Sequence, residues 1–251
     1  MVYVPGMQRY RMDVSYDGTD YAGWQVQPNG VTIQEKLEWV LGEITGGEVK
    51  VHGSGRTDQG VHARRQIAHF DLKFVKCPKA IRTGLNALLP PDIRVLRVRR
   101  AAPIFHARKS AIEKEYRYFI WNGDIVPPFT ARYRTQVRKP LDTASMARAA
   151  AFLEGKHDFA AFTANPNREV ESTVRELRQL CVVKKGAEIV IKARGEGFLY
   201  KMVRSLAGFL IRVGEGAVPP AEANTILASR ERTARVPTAP PQGLFLWNVK
   251  Y

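Results

Sequence analysis

The sequence predicts an α+β fold of two ferredoxin-like βαββαβ units whose antiparallel sheets meet at a basic cleft. Three observations predict it. Alternating and helical hydrophobic periods succeed one another as strand, helix, strand, strand, helix, strand, and the same order then recurs. The chain has 251 residues, 45% of them hydrophobic and 25% charged, enough for two units that each bury a core. Its net charge of +15 is spread along the chain, so the basic residues belong to folded surfaces and not to a tail.

Residues 8–16 alternate, with Tyr10, Met12, Val14 and Tyr16 on one face of a half-buried strand. Thr32, followed three residues later by Glu35, is a capping box, and the helix it opens carries Ile33, Leu37, Val40, Leu41 and Ile44 along one stripe. Strands are expected at 48–52 and 66–72, separated by a glycine-rich loop that ends in basic residues. Pro78 starts a helix through Ile81, Leu85 and Leu88, Pro90-Pro91 ends it, and 93–100 is a strand with arginines interleaved. The second half repeats the order. A strand at 114–121 precedes a helix capped by Asp142 and running through Met146, Ala150 and Leu153. Strands at 174–183 and 188–194 follow, joined at 184–187. An apolar helix at 198–213 is expected to stop at Gly214 as its C-cap. A short helix comes after Pro219-Pro220, and 244–251 closes the chain as a strand. The division falls near Ala102-Pro103, giving an N-terminal α/β domain at 1–103 and a C-terminal α/β domain at 104–251.

The charge narrows the partners. Arginine outnumbers lysine, and its planar fork suits bidentate phosphate contacts and stacking on bases. A polyanion, nucleic acid first, is the expected partner. No window approaches the apolar length of a membrane span, no secretory signal opens the chain, and no amphipathic basic segment favours a lipid surface. A cytoplasmic protein with two reduced cysteines, Cys77 and Cys181, is expected, because two cysteines without metal-ligand spacing make neither a disulfide framework nor a zinc site. His52, His62, His69, His106 and His157 are scattered and show no metal spacing.

The most unusual stretch is Gly53-Ser54-Gly55-Arg56-Thr57-Asp58-Gln59-Gly60-Val61-His62-Ala63. It lacks the Gly-Lys-Ser/Thr ending of a phosphate loop, and Asp58 stands where a dinucleotide fingerprint has its third glycine, so a nucleotide-dependent enzyme is disfavoured. The loop sets Arg56 beside Asp58, with His62, Arg64 and Arg65 just beyond. Nearby cations favour the ionised form of a carboxylate, which suits a nucleophile or base better than an acid. The alternative is an aspartate that only turns or caps the loop. The run 194–200 resembles an RNA-binding aromatic signature only poorly, with Glu196 inserted.

Together, several motifs resemble the tRNA pseudouridine synthase A family, in that family's order from about residue 8 to the end. They are residues 16–25 with Tyr16-Asp17-Gly18-Thr19-Asp20, the 27–30 turn, the 53–63 loop, and Lys114-Glu115-Tyr116-Arg117-Tyr118. Further ones are Gly155-Lys156-His157-Asp158-Phe159, Gly197-Phe198-Leu199-Tyr200-Lys201-Met202-Val203-Arg204 and Pro240-Pro241-Gln242-Gly243-Leu244. The resemblance implies cofactor-free isomerisation of uridine to pseudouridine in the tRNA anticodon stem-loop, by a homodimer. It implies Asp58 as catalytic residue and Arg56 as an aid in displacing the target nucleotide. Tyr116 would stack on the flipped uracil and take part in proton removal, and Arg204 would pair with the aspartate. Attack of Asp58 at C1′, addition at C6 and abstraction of a sugar proton all stay open.

Among the remaining residues, Arg64, Arg65, Arg97, Arg99, Arg108 and Arg168 are candidate phosphate contacts, and His62 is either another or a turn residue. Asp17, Asp20 and Trp24 wall the site, although Trp24 reads equally as core. Asp13 is expected on the opposite strand face, solvated. Leu244 and Leu246 pack the last strand, with a floor to a uracil pocket as a second role for Leu244. The competing function is a non-catalytic RNA-binding protein of two RNA-recognition-like units.

Overall fold

The computed structural model describes residues 6–164 and 171–251. In chain order its strands and α-helices are β1 (Gln8–Tyr16), α1 (Ile33–Thr45), β2 (His52–Gly53), β3 (His62–Leu72), α2 (Pro78–Leu88), β4 (Ile93–Arg100), β5 (Glu113–Asn122), α3 (Pro128–Ala131), β6 (Thr135–Val137), α4 (Thr143–Leu153), β7 (Gly155–Asp158), β8 (Val174–Lys185), β9 (Glu188–Gly195), α5 (Met202–Gly214), α6 (Glu222–Ser229) and β10 (Leu244–Lys250). The protein is a mixed α+β fold. Its two compact units are Met1–Ile112 with Leu246–Tyr251, and Glu113–Phe245.

In the first unit β1 lies between β3 and β4 and is antiparallel to both, β2 pairs with β3, and β10 lies beside β3. The alternation read from the sequence places Tyr10, Met12, Val14 and Tyr16 in the core. The capping box at Thr32 is formed in both directions, and α1 buries Ile33, Leu37, Val40 and Leu41. Each such side chain contributes about 1.5–3 kcal/mol of burial.

The strand expected at 48–52 shrinks to His52–Gly53. Side chains of α1 take the backbone groups that a longer ladder needs. Val51 donates its N–H to Glu38 Oε1 at 2.8 Å, and Gln34 Nε2 donates to the Val51 carbonyl at 3.1 Å. The strand expected at 66–72 instead reaches back to His62. Between the Val14–Gln66 and Tyr16–Ala63 pairs β1 advances two residues and β3 three, a bulge at Arg64–Arg65 that re-aims the strand end.

The division near Ala102-Pro103 and the assignment of the last strand to the second half differ from the compact units. Arg9 holds Asp71 through two hydrogen bonds at 2.8 and 2.7 Å and donates to the carbonyls of Pro103 and Phe105 at 2.7 and 2.8 Å. Tyr251 Oη donates to the Ala107 carbonyl at 2.6 Å, and Ile112 N–H to the Lys250 carbonyl at 2.9 Å. These long-range bonds keep residues 103–112 and the chain end with the first unit.

The second unit orders its strands β5–β9–β8–β7, antiparallel throughout, with β6 added parallel to β5. Asp142 caps α4 as expected, accepting from the Ala144 and Ser145 N–H groups at 2.9 and 3.1 Å. The apolar helix begins at Met202 and not at 198, because Lys201 adopts a left-handed φ of 55° that precedes it. Gly214 is its last helical residue and not a C-cap. A Cβ there would lie 2.8 Å from Met146 Sδ, so the glycine serves the close approach of α4 and α5. The segments β6, β7 and α3 are too short to carry a period that a sequence pattern would show.

Candidate active site

The loop joining β2 to β3 is tied to the segment between β1 and α1, so two motifs far apart in sequence form one structure. Ser54 N–H donates to the Ile67 carbonyl at 2.7 Å, Trp24 N–H to the Thr57 carbonyl at 3.0 Å and Gly60 N–H to the Tyr21 carbonyl at 3.4 Å. The Val61 N–H closes a turn onto the Asp58 carbonyl at 3.1 Å. Trp24 is core: it is buried beside Tyr16, and a Cβ on Gly53 would stand 2.7 Å from its indole. Gly23 has φ +95°, and a Cβ there would meet the Thr57 oxygen at 2.6 Å and the Asp58 carbonyl carbon at 3.0 Å. Only glycine allows this backbone to approach the loop so closely.

Asp58 is half-buried on this loop and Arg56 is exposed two residues before it. Past the bulge, Arg64 is exposed with its guanidinium 4.4 Å from the centre of the Trp247 ring, a cation–π contact. Arg65 is engaged at two points. It donates to Asp13 Oδ2 from Nε and Nη2 at 3.1 and 2.9 Å, and to Asn248 Oδ1 at 3.0 Å. Asp13 is therefore not solvated: it is buried, with Arg99 and Arg11 also within 3.7 and 3.9 Å. The surrounding arginine charges offset the cost of taking this carboxylate out of water.

His62 is fully buried, and its Nδ1 lies 3.0 Å from both the Gly18 nitrogen and Asp17 Oδ1. An unprotonated Nδ1 accepts from Gly18, whereas a protonated one donates to Asp17; either way the ring holds the loop at 17–18. This is the turn role, with no exposed ring atom for phosphate. Asp17 Oδ1 also accepts from Thr19 N and Oγ1 at 3.0 and 2.6 Å, while Asp20 is exposed. Arg97 and Arg108 are exposed, and Arg168 lies outside the described residues.

The other expected residues belong to the second unit. Tyr116, on β5 opposite Ala193, is buried and meets Phe198 edge-on at 4.9 Å between ring centres. Arg204, in the first turn of α5, is half-buried, and its Nε donates to the Ala239 carbonyl at 2.8 Å while Ala239 N–H returns a bond to the Arg204 carbonyl at 3.0 Å. Burial pushes the Tyr118 phenol up, opposed by its bond with Thr135 and by the Arg204 charge. Leu244 is buried as well, and so is Leu246 of the first unit.

Two features escaped the sequence reading. His52, His69 and His106, far apart in the chain, cluster: His52 stacks on His69 at 5.0 Å between ring centres, and His106 is tilted against them at 4.8 Å from His69 and 6.3 Å from His52. Burial pushes all three below the usual imidazole value, His69 to about 3, with the positive charge of His52 and Arg9 adding to it. His69 Nδ1 accepts the Ala107 N–H at 3.1 Å. Among the described residues no group of three His, Cys, Asp or Glu side chains is arranged to hold a metal ion. The second is the buried set under the loop. Tyr16 Oη lies 2.8 Å from Thr57 Oγ1, Ser54 Oγ donates to Gln66 Oε1 at 2.5 Å, and Gln66 Nε2 donates to the Gly55 carbonyl at 2.7 Å. Only the alternation of β1 and β3, which puts Tyr16 and Gln66 on the core face, hinted at it.

A family model described as tRNA pseudouridine synthase matches residues 13–108 and 149–251. The tRNA pseudouridine synthase A of Brevibacillus brevis is 44% identical over 245 residues, which cover 98% of this chain and 100% of that protein. Its counterpart in Halalkalibacterium halodurans is 45% identical, covering 95% of this chain and 90% of its own, and that of Exiguobacterium sibiricum is 40% identical, covering 98% and 97%. Among solved structures, a Cbf5-Nop10-Gar1 complex aligns with 80% of this chain and 45% of that chain at 18% identity, with a TM-score of 0.34, too low for comparison. Among the described residues no helix is long and apolar enough to cross a membrane.

Proposed function

The chain belongs to the tRNA pseudouridine synthase family, and we propose that Asp58 carries its conversion of uridine to pseudouridine, at uridines of the tRNA anticodon stem-loop. The observation that carries this reading is the setting of Asp58. Its loop is pinned through Ser54, Thr57 and Gly60, and it bears a half-buried carboxylate next to an exposed arginine. Such a loop meets the need for a reacting group held in one geometry.

The reaction breaks the bond between N1 and C1′, turns the uracil and joins C1′ to C5. The C5 proton leaves to solvent and N1 gains one, so atoms balance without oxidant, reductant or nucleotide. A uracil within a stem must first leave the stack, at a cost of a few kcal/mol. In this proposal Arg56 fills the space it vacates and the exposed Arg64 meets phosphate, while Arg65, bound to Asp13 and Asn248, steadies the strand end beside them. Tyr116 stacks on the flipped uracil and assists removal of the C5 proton, and Arg204 pairs with the aspartate; both roles rest on the family match. Leu244 supplies apolar surface to the base. The same reading takes the units as two ferredoxin-like βαββαβ arrangements, a view supported by the β4–β1–β3 order of the first, and takes the working protein as a cytoplasmic homodimer.

Release of tritium from tRNA carrying 5-tritiated uridine tests the assignment. The wild type is expected to release it, and Asp58→Asn to lose about 10²–10⁴-fold in rate while binding tRNA within a few-fold of wild type. An Asp58→Asn protein that turns over at a near wild-type rate refutes the role given to Asp58.

A further inference from the structure

We propose that Tyr16 is a positioning residue for Asp58, acting through its hydrogen bond to Thr57; the inference rests on the catalytic reading of Asp58. Thr57 is the residue immediately before Asp58, and the structure holds it twice. Its carbonyl accepts the Trp24 N–H at 3.0 Å, and its Oγ1 lies 2.8 Å from Tyr16 Oη. With main chain and side chain both tied, the peptide leading into Asp58 keeps one orientation.

The anchor itself is rigid. Tyr16 is the last residue of β1 and pairs with Ala63 just past the bulge of β3. Its ring is buried beside Trp24, with centroids 6.0 Å apart, and Ser15 Oγ donates to the Ala63 carbonyl at 3.1 Å. Burial keeps the phenol protonated, against the opposing hydrogen bonds with Thr57 and Gln66. Gln66 serves the opposite end of the same loop, accepting from Ser54 Oγ and donating to the Gly55 carbonyl. The sheet thus grips the loop on both sides of Arg56, at Ser54–Gly55 and at Thr57. A buried hydroxyl pair also carries specificity of geometry, since either oxygen left alone in the core is costly. That gives the pair a reason to stay closed through turnover.

The test compares Tyr16→Phe, Thr57→Val, the double variant and Thr57→Ser by tritium release, with thermal melts and tRNA binding on the same preparations. Tyr16→Phe keeps the ring against Trp24 and removes one oxygen; Thr57→Val removes the other and keeps the volume, so each reads the same bond if its fellow fails to fold. Expected are a fall in kcat of about tenfold in each single variant, in line with the steep rate penalty of a slightly displaced reacting group, KM for tRNA within twofold, no further loss in the double variant, and near wild-type kcat in Thr57→Ser. If the single variants keep wild-type kcat and only melt earlier, the pair is packing and the inference is overturned. It is equally overturned if the two losses multiply, because then they do not share one bond. Failure of the Asp58 reading shows separately, as retained turnover in Asp58→Asn.

Discussion

Gly23→Ala puts the contact between the two loops under direct load. Gly23 has φ +95°, where an L side chain costs about 1–2 kcal/mol. The new Cβ would stand 2.6 Å from the Thr57 oxygen, 3.0 Å from the Asp58 carbonyl carbon and 3.1 Å from the Gln59 nitrogen, all backbone atoms. An ordinary carbon–oxygen contact is roughly 3.3 Å, so the main chain at 57–59 must retreat by about half an ångström or more. The added strain brings the expected loss to about 2–3 kcal/mol, or about 4–12 °C in Tm for a chain of this size. Since a misplacement of about 1 Å can cost about 10²-fold in rate, kcat is expected to fall between about tenfold and a hundredfold. Gly46→Ala is the control. It has φ +74° at the C-cap of α1 and nothing within 4 Å, so it bears the backbone cost alone. Its melt should drop by a few degrees and its kcat should hold. Tritium release and thermal melts on both variants decide the matter. Wild-type kcat in a folded Gly23→Ala protein would mean that the position of the 57–59 backbone does not govern turnover, and the reasoning fails.

Two further predictions concern charge. The folded-state values of His52, His69 and His106 are depressed by burial, so the unfolded chain binds more protons below the ordinary imidazole value of 6.5. Their contribution to stability is complete above that value and is lost as pH falls, for His69 down to about 3. At pH 5 the His69 share amounts to about 2 kcal/mol; urea unfolding of wild type and His69→Phe should show a shallower loss between pH 7 and pH 5 in the variant, and equal slopes would contradict the assignment. Affinity for tRNA should fall with salt. Neutralising three phosphates predicts a loss of about 40-fold between about 50 and 200 mM salt, and a filter-binding titration that is flat over this range would show that the +15 charge does not act on phosphate.

Much of the candidate site was legible because its signals are local. Glycines and Asp58 in one loop, a capping box at Thr32 and the alternation of β1 all act through neighbours a few residues away, where spacing maps directly onto geometry. What was misread depended on distant partners. Asp13 reads as a solvated polar residue on an open strand face until Arg65 and Arg99 arrive from the two neighbouring strands and join Arg11 around it. For His62 the choice between a phosphate contact and a turn residue is settled only when the Gly18 nitrogen and Asp17 meet its ring. The strand at 48–52 fails because α1 side chains claim its backbone, and nothing in the strand's own residues announces that.

The sequence by itself determined the α+β order of elements, the basic character that selects an anionic partner, and the loop that displays Asp58 beside Arg56. These follow from periodicity, composition and turn chemistry, which need no knowledge of the rest of the chain. The tertiary structure alone decided how that loop is held. The Tyr16–Thr57 bond spans 41 residues, the Gln66 grip spans 11 and 12, and the Trp24–Thr57 bond joins two loops on either side of a helix. Contacts of that reach exist only once β1 and β3 are in register, because the pairing is what brings Tyr16 and Gln66 beneath the Asp58 loop.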